Sequence, residues 1–134
     1  MKKQLAISLN STKVERLEIK KVDIDDVLDS MELSFSVDYP KDNLESFNLI
    51  FKLKLPHRSG LIFDVEYIAF FITDHKIDTE FKNSFFPVIN APAIAYPFLR
   101  AYISTLMTIS GYDPIILPTI NFSEALENSN YKEE

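Results

Sequence analysis

The 134-residue chain has no cysteine, no tryptophan and only two glycines, Gly60 and Gly111. Because cysteine is absent, disulfides, thiolate metal sites and cysteine nucleophiles are excluded. Eleven phenylalanines and six tyrosines supply the aromatic bulk, so either the interior or a binding surface is rich in phenylalanine. Most of the turns must depend on the seven prolines, since proline ends strands and stiffens loops.

Strong positive charge and long uncharged apolar runs are also absent. The formal net charge is −6, which argues against a nucleic-acid partner and favours basic ones. The nearest approach to a membrane span, residues 93–109, contains Pro97 and Arg100 and falls short of the ~18–20 apolar residues that a span needs. Residues 1–10 lack the long apolar core of a signal peptide. We therefore expect one cytoplasmic domain over residues 1–134, without membrane insertion.

Four segments show the period-two alternation of half-buried strands. They are residues 13–25, 31–39, 47–55 and 61–73. Pro40 and Pro56 are expected to end the second and third strands. In the first, the apolar face switches at 20–21, which predicts a β-bulge or a bend there. The fourth is apolar on both faces over 67–72, either because this end lies under a helix or because it is reserved for another chain.

The rest of the chain predicts a helix, a crossover loop and a short polar tail, at about 94–110, 111–122 and 123–134. Pro92 and Pro97 are tolerated at or before the first helical turn, and Gly111 suits the C-terminal cap. The tail can form one or two helical turns. The whole layout predicts an α+β fold, in which a four-stranded antiparallel meander carries one long helix on one face.

The predicted helix is apolar almost all the way round, so one face of it needs a cover that the sheet cannot supply. We expect that cover to be a second copy of the chain in a closed homo-oligomer. Arg100 either anchors a carboxylate at that interface or extends along its stem to water. The residues assigned to the oligomer interface are Phe98, Arg100, Tyr102, Ile103, Leu106 and Ile109.

A second apolar surface is predicted around the loop, where three aliphatic residues stand between Pro114 and Pro118. Together with several phenylalanines they can line a groove for extended, unfolded segments. For each phenylalanine a place in the core remains the alternative. The residues assigned to the groove are Phe70, Phe71, Phe85, Phe86, Ile115, Ile116, Leu117 and Phe122.

Two blocks near the end of the chain resemble the SecB family of protein-export chaperones. Tyr96-Pro97 followed by Arg100 is similar to the family's Phe-Pro-Tyr-Ala-Arg-Glu-like helix start. The end of the loop is similar to the family's Pro-Val-Asn-Phe-like pattern through Pro118, Ile120, Asn121 and Phe122. The resemblance is specific over residues 86–126, whereas before them only the order of the strands agrees.

The resemblance implies a four-stranded antiparallel sheet with helices on one face and a homotetramer built as a dimer of dimers. It also implies that unfolded polypeptides are held in an apolar groove without nucleotide or cofactor, and then delivered to the export motor SecA. Docking of SecA is implied at Asp25, Ile62 and Asp64 on the wet face of the sheet.

The sequence departs from the family pattern at two places, which concern the docking of SecA and the second helix. Lys21 stands where an acidic residue is expected, which weakens attraction to a basic partner. The sequence ends twelve residues after Phe122, so the second helix of the family is expected to be short or missing.

No residue pattern points to catalysis. His57 and His75 lack the spacing of metal ligands and are expected to be surface loop residues. Asp23, Asp25 and Asp26 lack the further ligands and the turn glycine of a calcium loop. Nucleophile elbows and phosphate-binding loops are also missing from the sequence. We therefore expect a protein that is not an enzyme and has no cofactor.

The leading hypothesis is an ATP-independent holdase, with unfolded polypeptides as clients. Within that class, general export through SecA competes with care of one dedicated client, such as an antitoxin. A different class, an oligomeric interaction scaffold without chaperone activity, also fits the sequence.

Overall fold

The computed structural model describes residues 6–22 and 30–128, with side chains described up to Leu126. These residues form one antiparallel sheet and a layer of helices, as the α+β prediction expects. The strands are β1 (Ile7–Lys21), β2 (Glu32–Asp38), β3 (Ser46–His57) and β4 (Leu61–Thr73). The helices are α1 (Thr79–Lys82), α2 (Ala91–Ile109) and α3 (Phe122–Asn128), and a π-helical turn, Phe86–Asn90, leads directly into α2.

The strand order is β1-β4-β3-β2. β2, β3 and β4 form a meander, as predicted, but β1 pairs with β4 and not with β2. The prediction of a four-strand meander was wrong for β1, because it took consecutive strands to be neighbours, as they most often are. In the described part of the chain, β1 and β2 are therefore the two edges of the sheet.

The register of β1 also differs from the prediction. Its irregularities lie between Leu9 and Ser11 and between Val14 and Arg16. The bulge predicted at 20–21 is absent, since both residues stay in register with β4. The apolar side chains change face after Ile19 because β1 ends at Lys21, so Val22 no longer belongs to the strand.

Proline also does not end β3 as predicted, because Pro56 pairs with Ile62 and the strand continues to His57. The ladder between β2 and β3 stops at Lys54. Beyond that point no described residue pairs with this side of β3, so the missing N–H of proline costs no ladder hydrogen bond there.

The core lies between the sheet and α2. Alternate residues of β3 and β4 point towards α2, which buries its own residues against them. The largest fully buried side chains include Phe47, Phe51, Phe63, Phe71, Leu99 and Ile103. The other face of the sheet, here called the open face, carries the intervening residues of all four strands.

α2 begins at Ala91, earlier than the predicted 94, because the π-helical turn before it is already helical. Pro97 therefore lies inside the helix and not in its first turn. At the other end Gly111 adopts φ +88°, and the N–H groups of Gly111 and Tyr112 bond the carbonyls of Thr108 and Met107 at 3.2 and 2.8 Å. This is a Schellman cap, which confirms the predicted role of Gly111.

The predicted tail begins as a short helix, α3, whose first turn is capped by Asn121. The Oδ1 atom of Asn121 accepts the N–H of Glu124 at 3.1 Å. Phe122, Ala125 and Leu126 share the side of α3 that faces the sheet, at the i, i+3, i+4 spacing of one helical face. The short second helix agrees with the expectation.

Candidate functional site

An apolar groove runs between β2, the π-helical turn and α3, with a volume of about 440 Å³. Here it is called the β2–α3 groove. Its walls come from β2 on one side and from Val88, Ile120 and α3 on the other. Its lining residues are Met31, Leu33, Ser34, Phe35, Val88, Ile120, Phe122, Ala125 and Leu126.

The floor of the groove is built from aromatic rings. Phe35 and Phe122 pack edge to face with centroids 6.0 Å apart. Behind them lie Phe51 of β3 and Tyr96 of α2, which contact Phe35 and Phe122 at 6.2 and 5.7 Å. Such packing fixes the shape of the floor, because each ring has neighbours on more than one element.

None of the described residues that line the groove is charged, so a polypeptide that enters it exchanges contact with water for apolar contact. Its β2 side is an edge strand whose outward N–H and C=O groups have no strand partner within the described residues. An extended segment can therefore pair its main chain with β2 while alternate side chains enter the groove. No acid–base or metal chemistry is offered by this set of side chains.

The residues that the sequence assigned to a groove are not brought together. Phe70 and Phe71 point to opposite faces of β4, and Phe71 is stacked on Phe47 in the core at 5.0 Å. Leu117 is also buried in the core, at 1% exposure. These three residues therefore do not form one surface. Phe70 lies on the open face of the sheet, whereas Phe71 and Leu117 are buried in the core.

Four other assigned residues lie outside the β2–α3 groove. Phe85 and Ile116 are well exposed, at 65% and 69%, whereas Phe86 stacks on Phe81 and Ile115 packs against the core. Phe122 alone among the eight lines the groove.

The groove residues that sequence reasoning missed belong mainly to β2 and α3. The apolar alternation of β2 was attributed to burial, and only the strand order shows that this strand is an edge. For α3 a signal was present, since Phe122, Ala125 and Leu126 are spaced as one helical face.

The six residues assigned to an oligomer interface also separate. Phe98 and Ile109 are exposed, at 49% and 78%, but Ile103 is fully buried inside the subunit. Tyr102 stacks on Tyr67 at 5.6 Å, and Leu106 is partly buried against the core. Arg100 is partly buried, and its Nε atom has no hydrogen-bond partner among the described residues.

Other exposed apolar side chains lie on α2 and on β1. Ile94 on α2 and Leu17 and Ile19 on β1 are each about two-fifths exposed, at 40%, 38% and 38%. The two β1 residues stand beside β4 on the helical side of the sheet. The chain therefore leaves apolar surface uncovered along β1 and α2.

On the open face, two of the three residues implied as SecA-docking positions are buried. Asp64 is 7% exposed, and its Oδ1 atom lies 2.7 Å from Nη2 of Arg16 on β1. Ile62 is 5% exposed, and Asp25 lies outside the described residues. Further ion pairs join Arg16 to Glu18 at 3.4 Å and Lys52 to Glu66 at 3.8 Å. The described charges on this part of the open face largely neutralise one another.

The expectation that both histidines lie on surface loops was wrong for His57. This ring is 7% exposed; Nε2 lies 2.8 Å from the carbonyl oxygen of Asp113, to which it donates, and Nδ1 lies 2.6 Å from Oγ of Ser59. It joins the hairpin of β3 and β4 to the crossover loop. His75 is exposed and pairs with Asp74 at 2.9 Å.

Asp74 holds the start of β1 as well, because its Oδ1 atom accepts the N–H of Ala6 at 2.9 Å. This hydrogen bond, followed by that from His75, lowers the pKa of the Asp74 carboxyl. Among the described residues, no group of three or more potential metal ligands is found.

None of the helices in the described residues is both long and apolar enough to cross a membrane.

Comparison with curated proteins finds an uncharacterized protein, MJ0357, of Methanocaldococcus jannaschii. It is 28% identical over 140 residues, which cover 96% of this chain and 88% of that protein.

Two of the solved structures that share the fold cover most of this chain. One is the SecB-like chaperone Rv1957 of Mycobacterium tuberculosis in complex with a ChAD peptide from the antitoxin HigA1, Rv1956. It has a TM-score of 0.65 and 16% identity, over 85% of this chain and 89% of that one. The other is a protein of unknown function from Streptococcus agalactiae, with a TM-score of 0.60 and 8% identity, over 87% of this chain and all of that one.

The family model described as preprotein translocase subunit SecB matches residues 15–133. It covers all four strands in part or in full, together with α2 and α3. The chain belongs to the SecB family.

Proposed function

We propose that this protein is an ATP-independent holdase that binds an extended, apolar stretch of unfolded polypeptide in the β2–α3 groove. The observation that carries the proposal is an uncharged groove of about 440 Å³ beside an edge strand. The groove supplies apolar contact without strict side-chain preference, and β2 supplies main-chain hydrogen bonds. Membership of the SecB family supports the same function.

We place client holding before delivery to SecA. The carboxylate that the family resemblance makes a docking group, Asp64, is buried and paired with Arg16 at 2.7 Å. A basic partner would have to break this pair before it could use the charge. The SecB-like chaperone of M. tuberculosis, which has the same fold, is bound to an antitoxin peptide. Care of one dedicated client, such as an antitoxin, is therefore the favoured use.

We also propose that the protein self-associates through the stripe formed by Ile94, Phe98 and Ile109 on α2 and Leu17 and Ile19 on β1. Apolar area of this kind on two adjoining elements is typical of a subunit interface. The stripe lies on β1 and α2, whereas the β2–α3 groove lies at the opposite edge of the sheet. Association through the stripe would therefore leave the groove open.

The test of client holding is a substitution that changes the groove and little else. Ala125 lines the groove and is exposed on α3, so Ala125→Glu adds a charge there with small cost to folding. The charge must be desolvated when an apolar client binds, so we expect roughly a tenfold or greater loss of affinity. Suppression of aggregation of a protein diluted from denaturant should fall in parallel.

The matched control is Ala93→Glu, the same change at an exposed helical position away from the groove. It should leave client affinity unchanged. Equal activity of Ala125→Glu and Ala93→Glu would move client binding away from this groove. Failure of the unsubstituted protein to hold any unfolded client would overturn the proposed function.

A further inference from the structure

The hydroxyl group of Tyr96 joins α2 to the crossover loop. Tyr96 is buried, and its O–H donates to the carbonyl oxygen of Pro118 at 2.7 Å. Burial raises the pKa of Tyr96 above its ordinary value, so the group remains a donor at neutral pH. The two residues are 22 positions apart in sequence, so this bond fixes a tertiary position and not a local turn.

The ring of Tyr96 belongs to a closed cycle of four aromatic side chains. Phe35, Phe51, Tyr96 and Phe122 contact one another in turn, with centroid distances of 6.2, 6.3, 5.7 and 6.0 Å. Two members, Phe35 and Phe122, line the β2–α3 groove. Tyr96 therefore supports the floor of the groove from behind while its hydroxyl holds the loop that forms one wall.

The crossover loop has other ties, but they lie nearer its start. His57 bonds the carbonyl of Asp113, the N–H of Ile115 points at Sδ of Met107 at 3.3 Å, and Leu117 is buried. From Pro118 to Ile120, the bond from Tyr96 is the one hydrogen bond to another element within the described residues, whereas Asn121 accepts the N–H groups of Glu124 and Ala125 of α3. Ile120 and Phe122, which enter the groove, follow directly after it.

The geometry points to Tyr96 as a positioning residue for client binding: its hydroxyl sets the place of the groove wall formed by Ile120 and Phe122. This inference rests on the proposed function of the groove. The family pattern given above has phenylalanine where this chain has Tyr96, so the hydroxyl is a feature that this sequence adds to the pattern.

The test is Tyr96→Phe, which removes one oxygen atom and keeps the ring in the aromatic cycle. The matched control is Tyr67→Phe, because the hydroxyl of Tyr67 donates to Oγ1 of Thr12 at 2.8 Å, between β4 and β1, away from the groove. Both variants lose one tertiary hydrogen bond of similar length, so both should lose a similar amount of global stability.

Two readouts separate positioning from stability. The first is the affinity for a reduced and alkylated, permanently unfolded protein, which should fall about fivefold in Tyr96→Phe and stay unchanged in Tyr67→Phe. The second is amide exchange of Glu124 and Ala125, whose N–H groups bond Asn121 at the end of the loop. This exchange should accelerate in Tyr96→Phe alone.

Unchanged exchange of Glu124 and Ala125 in Tyr96→Phe would show that the hydroxyl of Tyr96 does not hold the loop. Faster exchange without a change in affinity would overturn the positioning role. Absence of binding by the unsubstituted protein would count against the proposed function, and the exchange measurement would then still decide whether Tyr96 holds the loop.

Discussion

Asp64 shows how far single residues can be predicted from sequence. The alternation of β4 correctly predicts that Asp64 lies on the wet face of the sheet. Asp64 is nevertheless buried, and its ion-pair partner is Arg16, which is 48 residues earlier in the chain. Nothing local in either strand indicates this pair. It forms only because β1 and β4 are neighbouring strands, which the sequence did not predict.

Substitution of Arg16 tests the importance of that pair. Arg16→Ala leaves the carboxylate of Asp64 buried without its partner, and an unpaired buried charge is destabilising. Lys13→Ala is the control, since Lys13 and Glu15 form a pair at 3.5 Å in which both side chains are exposed. Thermal unfolding should show a clearly larger loss of melting temperature for Arg16→Ala, because exposed pairs contribute little.

A loss of melting temperature no greater than that of Lys13→Ala would mean that water solvates the carboxylate of Asp64 when Arg16 is removed. The open face would then keep a usable carboxylate, and client holding would lose its main advantage over SecA docking.

Among the secondary-structure elements, the strands and α2 were predictable because their periodicity is long and regular. The order of the strands was not, since alternation says which face is buried but not which strand is the neighbour. The groove depends on that order, because β2 presents a binding edge only when β1 lies at the far side of the sheet. Of the groove residues, Phe122 was the one identified beforehand.

The end of α2 provides a test at the level of one element. Gly111 has φ +88°, and an added Cβ would meet no atom within 4 Å. Gly111→Ala should therefore cost about 1 kcal/mol through backbone strain alone. Gly111→Asn should cost less, since asparagine accepts the left-handed conformation more readily. Chemical denaturation of both variants measures the difference.

Equal stability of Gly111→Ala and the unsubstituted protein would show that the Schellman cap does not control the helix end. In that case the start of the crossover loop would depend on His57 and Tyr112, which pack against each other at 5.6 Å.

For the whole molecule, the uncovered stripe on β1 and α2 predicts self-association. Phe98→Glu combined with Ile109→Glu places two charges on that stripe and should lower the native mass measured by light scattering. Phe85→Glu is the control, because Phe85 is equally apolar and 65% exposed but lies outside the stripe. It should leave the mass unchanged.

A native mass that equals one chain in the unsubstituted protein would contradict self-association. An assembly that survives the double substitution would place the interface elsewhere. The groove proposal does not depend on either result, since its lining residues come from one chain.

The central claim is that an unfolded client occupies the β2–α3 groove. Methyl NMR of the intact protein, titrated with a reduced and alkylated protein, tests it most directly. We expect the signals of Leu33, Val88, Ile120 and Leu126 to shift together, while those of Ile68 and Ile72 on the open face stay in place. Shifts confined to the open face, or no shifts at a client excess, would contradict the account.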